Sequence, residues 1–185
     1  TFLLNIILDM GISNFNKVNI AQHPQLLKKH FAGIVSLRLL LGVGYAAITL
    51  LIGFISGFSG NEFYILSILV FNQFLISLIL YLRSNLAGLL LFRTDAIVSV
   101  IDRTLLIGFC FVLLKGYLTD QPFSIEMFVY AQTASYGLTA LIALILVLKE
   151  TRQFRITIDW PFWLMILRKS WPFALLILLM AFYNR

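Results

Sequence analysis

An all-α, polytopic membrane fold is predicted by three features of this sequence. Residues 39–61, 63–82 and 127–148 carry no charged side chain. The segments between these runs alternate in the sign of their charge. Hydrophobic residues make up 61% of the 185 and charged ones 12%, against about 45–50% and roughly 25% in an ordinary soluble domain. A soluble fold of this size has no interior large enough to hide that much apolar surface. Each run is close to the ~20 residues that cross a hydrocarbon core of ~30 Å at ~1.5 Å per residue.

The predicted elements follow from the N-terminus. A partial helix ends near Ser13, too short to span from Thr1. Complete spans are expected near residues 32–58, 63–82, 94–115 and 127–148, and a further partial helix from about Ser170. Residues 1–149 then form one group of helices, 150–169 a connection with an interfacial helix, and 170–185 the start of a second group. Absence of an initiating Met and the two short terminal segments read as an internal piece of a longer membrane protein. No basic stretch followed by a cleavage site marks a signal peptide.

Loop charges assign the two faces. Lys17, Lys28, Lys29, Arg83, Arg93, Lys149, Arg152, Arg155, Arg168 and Lys169 fall on one side. The opposite connections offer only Lys115, against Glu62, Asp120 and Glu126. That asymmetry makes the basic face cytoplasmic. Two segments on it are expected to be structured. Asp159 is placed to cap a helix with Pro161 in its first turn, and Trp160 and Trp163 suit a headgroup layer. Between Asn14 and His30, a short helix is expected to start after Pro24. Membrane lipids are a natural partner of these basic segments, which also serve ordinary orientation signalling.

Polar residues within the spans carry the functional signal, because a helix in lipid needs none. At helical spacing they form stripes. The first segment shows Asn5, Asp9, Ser13 and Asn16, and the second Arg38, Gly42, Tyr45, Thr49, Gly53 and Ser56. The third has Gln73, Ser77, Tyr81 and Ser84 beside Asn72. The fourth has Asp95, Ser99 and Asp102 beside Arg103, and the fifth Gln132, Tyr136 and Thr139 beside Ser135. Several such faces can surround a polar cavity lined by Asn72, Gln73, Gln132 and Tyr136. Small residues, such as Gly53 and Gly57 at GxxxG spacing, equally well serve helix packing. Asp102 and Arg103 lie mid-span, where a lone charge costs on the order of 2.5–3.5 kcal/mol. They are expected to face protein or water and to find partners on neighbouring helices. Arg38 and Asp9 are shallower, with Arg38 in reach of the headgroups by snorkelling.

Other chemistry lacks its residues. The basic side chains sit beside apolar spans rather than in an interleaved patch, which excludes nucleic acid as a partner. Cys110 is single and lies in an apolar run, where it reads as a small hydrophobe. His23 and His30 read as solvated loop residues without metal-ligand spacing, so no metal is expected. H-E-x-x-H, G-x-S-x-G and G-x-x-x-x-G-K-[ST] are absent, and the chain reads as a non-enzyme.

Two short motifs carry a resemblance. Leu8-Asp9-Met10-Gly11-Ile12 and Lys169-Ser170-Trp171-Pro172-Phe173, with Ser36-Leu37-Arg38-Leu39-Leu40-Leu41 and Tyr183-Asn184-Arg185, resemble Wzx-like oligosaccharide flippases. These belong to the multidrug, oligosaccharidyl-lipid and polysaccharide exporter superfamily. The resemblance implies helices two to seven of a two-lobe, MATE-like bundle, supplying most of the N-terminal lobe. It implies translocation of undecaprenyl-diphosphate-linked oligosaccharide across the bacterial inner membrane for O-antigen, capsule or exopolysaccharide synthesis. Polysaccharide polymerase machinery is the implied protein partner. Arg38, Arg103 and Arg83 would then meet the diphosphate, and Asp102 and Asp9 would couple to H+ or Na+, with no cofactor. The alternatives are an exporter of small organic cations, a membrane glycosyltransferase or polymerase of the same pathway, and a structural subunit.

Overall fold

Described residues 8–115, 124–151 and 159–183 of this computed structural model form six helices and, among them, no strand. These are α1 (Ile12–Gln22), α2 (Leu26–Ile55), α3 (Asn61–Gly88), α4 (Phe92–Leu114), α5 (Ile125–Thr151) and α6 (Trp160–Tyr183). All but α1 are long and apolar enough to cross a membrane. The protein is therefore an all-α, membrane-spanning helical bundle, the architecture that satisfies every backbone group without water. Asn5, Asp120, Arg152, Arg155, Asn184 and Arg185 lie outside the described residues.

The helices outrun their apolar cores. Lys28, Lys29 and Arg83, expected in connections, are helical, because α2 starts at Leu26 and α3 continues to Gly88. Long basic side chains are good helix formers that can lift their charge to the interface, so a charge need not end a helix. The helix of the first connection is α1, which ends before Pro24; the turn after Pro24 belongs to α2 itself. At the other end, α6 runs from Trp160 through Ser170 without a separate interfacial helix, and the expected boundary at 169/170 falls inside it. Asp159 caps α6 as anticipated, its Oδ1 accepting from the Phe162 amide at 3.3 Å. Trp160 is exposed, but Trp163 is buried and donates its indole N–H to the Gly33 carbonyl at 3.1 Å. Only the first of the two indoles is free for the headgroup layer.

Helix α3 is the hub, packed against α1, α2, α4 and α5. The stripe on α2 is its packing face: Arg38, Gly42, Tyr45, Thr49 and Gly53 are all buried. Gly42 lies under the Phe74 ring and Gly53 under Leu66, where added Cβ atoms would sit 2.5 and 2.4 Å from those side chains. Gly57 does not act as a packing glycine. It has open space around it and a φ of 81°, and it closes α2 with amide bonds from Gly57 to Phe54 and from Phe58 to Gly53. The same paired closure ends α3, from Leu90 to Ala87 and from Leu91 to Leu86. There the left-handed position is held by Leu90, φ 61°, at a conformational cost of about 1–2 kcal/mol that a glycine would avoid.

Gly11 brings the two motif segments together. The chain breaks its helix at Met10 and Gly11, φ 43° and 73°, before α1 begins. A Cβ on Gly11 would lie 2.5 Å from the Ala174 amide nitrogen and 2.7 Å from the Ser170 carbonyl oxygen. Only glycine permits both that backbone turn and that contact with α6. Pro172, inside α6, leaves one carbonyl of that helix without its usual internal donor.

Candidate functional site

Arg38 is the most elaborately held side chain of the bundle. Its position on α2 faces α3 and the segment before α1, and its side chain is 1% exposed. Nη1 donates to the Ser77 carbonyl at 2.8 Å and to Ser77 Oγ at 2.6 Å. Nη2 donates to Asp9 Oδ1 and, at 2.7 Å, to Ser13 Oγ. Ser13 in turn donates to Asp9 at 2.6 Å, and the guanidinium lies over the Tyr81 ring, 5.0 Å from its centre. Arg38 therefore does not snorkel. Its planar fork satisfies an ion pair, two serines and an aromatic face at once, which a headgroup position could not offer.

Asp9 connects this buried network to open space. Its side chain is 20% exposed and lines a cleft of 360 Å³ together with Ser13, Lys17, Arg83, Ser84 and Asp95. Arg83 Nε donates to Asp95 Oδ1 at 2.7 Å, bridging α3 and α4. The cleft thus holds two carboxylates, Arg83 and Lys17, with Arg38 behind one wall. On the lining, Lys17 and Arg83 balance the two carboxylates, while Arg38 is buried against Asp9 behind it. Its shape depends on α1, fixed by Asn16, whose side-chain amide donates to Ser84 Oγ at 3.0 Å and to Asn85 Oδ1 at 2.8 Å. These contacts also explain why α3 runs past Arg83.

Asp102 and Arg103 stand apart from this cleft. Arg103 is central in α4, about 16 Å from either end by helical rise, and its side chain is 72% exposed among the described residues. The partners expected on neighbouring helices are not there among the described residues. Arg103 Nε is instead 3.7 Å from Asp102 Oδ2, its neighbour on the same helix. Asp102 Oδ1 accepts from the Arg103 amide at 2.7 Å, and Ser135 Oγ donates to the Asp102 carbonyl at 2.6 Å. The α4 surface around Arg103 is apolar, with Val100 and Ile107 exposed one turn on either side.

The remaining polar candidates lie away from that cleft. Asn72 and Tyr136 are buried. The Asn72 amide approaches Gln132 Oε1 at 3.5 Å, and Gln132 donates to the Tyr136 hydroxyl at 3.1 Å. Gln73 is half-buried. The Asn72–Gln132 approach joins α3 to α5, as polar residues do where water is absent, whereas the Gln132–Tyr136 bond stays within α5. Among the described residues, no group of three or more His, Cys, Asp or Glu converges as a metal site. His30 is not a solvated loop residue: it lies in α2, with its ring 4.9 Å from that of Phe162.

Family models, curated proteins and solved structures give no match to this chain. The site therefore rests on its own chemistry. Of the charges singled out in the sequence, the fold brings Asp9, Arg38 and Arg83 to one region and leaves Asp102 and Arg103 in another. Lys17, which reads as an orientation charge, is a wall of the cleft. Its spacing of one turn from Ser13 on α1 was the available signal. Asp95 was visible only as a stripe residue, because its pairing with Arg83 depends on how tightly the α3–α4 turn closes.

Proposed function

We propose that the chain is part of a transporter that carries undecaprenyl-diphosphate-linked oligosaccharide from the cytoplasmic to the outer leaflet of the bacterial inner membrane. The observation that carries this reading is the cleft at the basic end of the bundle, where the cationic side chains of Arg83 and Lys17 reach open space. A diphosphate leaving water needs cationic donors, and arginine and lysine supply them. Arg103, mid-span and exposed, supports the same reading as a second cation along the route. On it, the α4 face carrying Arg103 looks into a water-filled cavity completed by a second lobe, which also removes the cost of a charge in lipid. Asp9 is the coupling group: binding H+ or Na+ there competes directly with its bond to Arg38. The transporter performs no chemical step and hands its cargo to polysaccharide polymerase machinery.

A second reading, export of small organic cations, is favoured by the carboxylates of Asp9 and Asp95 on the cleft wall. One experiment separates the two. The gene is expressed in a flippase-deficient bacterium, and surface polysaccharide and dye efflux are measured for wild type, Arg83→Gln, Arg103→Ala and Asp102→Asn at matched abundance. Flipping predicts rescue by wild type. It also predicts a loss of about tenfold or more in the two arginine variants, the worth of one charge-assisted hydrogen bond of roughly 1.5–3 kcal/mol. Dye efflux without rescue would replace the flippase by the cation exporter.

A further inference from the structure

A second cleft, of 570 Å³, opens where α1 meets the first turns of α2 and α6. Helix α1 separates it from the first: Ser13 and Lys17 face one cleft, Phe15 and Asn19 the other, roughly 180° apart at 100° per residue. Its lining is divided in two. Phe15, Phe162, Met165 and Ile166 form an apolar floor, while Lys29, Lys169, Asn19 and Asp159 supply polar groups. His30 also faces it, and its Nδ1 is buried without a hydrogen-bond partner among the described residues.

We propose that this cleft binds an acidic phospholipid, with the phosphodiester held by Lys29, Lys169 and His30 and the start of an acyl chain on the apolar floor. Charge selects the headgroup. Two ammonium groups against the Asp159 carboxylate leave one net positive charge, which matches a phosphodiester monoanion better than a more highly charged phosphate. Asp159 is already occupied in part as the cap of α6, and its second oxygen and Asn19 suit hydroxyls of a glycerol headgroup. Depth agrees with this: Trp160, next to the cleft and exposed, has the amphipathic indole that favours the headgroup layer. The buried Nδ1 of His30 gains the partner it lacks, which otherwise costs a hydrogen bond. A free phosphate would satisfy the ammonium groups but leave the apolar floor uncovered. A lipid here would bridge α1, α2 and α6, whatever the transporter's cargo.

The test is native mass spectrometry of the purified protein in detergent, titrated with phosphatidylglycerol or phosphatidylcholine. The variants are Lys29→Gln with Lys169→Gln, and a control pair, Lys28→Gln with Arg168→Gln. The control removes equal charge from exposed sites on the same two helices that do not line the cleft. Phosphatidylglycerol binding is expected to fall about thirtyfold in the first pair, as for two lysines at a membrane surface, and to stay unchanged in the second. Equal losses in both pairs would overturn the site in favour of diffuse attraction. Met165→Glu, on the half-open floor, keeps both lysines and should also expel the lipid; retention there would contradict the acyl contact. Glycerophosphate and inorganic phosphate form the last arm. Displacement of phosphatidylglycerol by either at comparable concentration would assign the cleft to a soluble anion and remove the lipid from it.

Discussion

Arg38 and Arg103 are both arginines within membrane-spanning helices, each beside an aspartate, and the bundle treats them in opposite ways. Arg38 is enclosed by Asp9, Ser13, Ser77 and Tyr81 with 1% of its side chain exposed. Arg103 is 72% exposed and contacts only the carboxylate next to it among the described ion pairs. Arg83, paired with Asp95 and 27% exposed, lies between them. The contrast separates architecture from function. A guanidinium whose two terminal nitrogens are both engaged by its own fold holds helices together, whereas one that is exposed is available to something that is not part of the described bundle.

Graded substitutions can break this contrast. Arg38→Ala strands Asp9 next to a cavity, and loss of one partner of a buried pair is expected to cost about 3–5 kcal/mol, read as a fall in the detergent melting temperature. Gly11→Ala attacks the same region through the backbone. The left-handed turn and the overlap with α6 together predict about 2–4 kcal/mol, and a Gly11→Ala protein as stable as wild type would mean that α6 does not press on this segment. Arg83→Gln removes a partly exposed pair and should cost only about 1 kcal/mol or less, so that a loss of surface polysaccharide in that variant, which the proposed flippase function predicts, would not be a folding effect. Arg103→Ala should leave stability within about 0.5 kcal/mol. A large destabilisation there would show that Arg103 is structural, and the contrast with Arg38 would collapse.

The fold class was legible because charge-free runs of spanning length leave few alternatives, and each such run is helical but for the turn at 56–60 within the first. Helix ends were not, because the ends are set by partners distant in sequence: Asn16 and Ile20 hold Ser84, Asn85 and Gly88 in helix beyond Arg83. The candidate site was legible as residue types but not as groupings. Asp9 and Arg38 stood out as charges in apolar surroundings, yet their pairing depends on the positive-φ break at Met10 and Gly11, which redirects the chain before α1. Stripes of Ser, Thr and Gly could not say whether they faced an opening or another helix. On α2 they face α3, because close helix approach needs small residues whether or not a cavity exists.

The order in which the Arg38 partners occur along the chain also bears on how the protein is made. Asp9 precedes Arg38 by 29 residues and Ser77 follows it by 39. A ribosome adding about 5–20 residues per second needs roughly 2–8 s to deliver Ser77 after Arg38 has emerged. Throughout that interval the carboxylate of Asp9 is already present, so the guanidinium can enter the bilayer as one half of a neutral pair. Ser77 then closes an arrangement whose costliest member was compensated in advance, and α6 docks against Gly11 only when synthesis has passed Ser170.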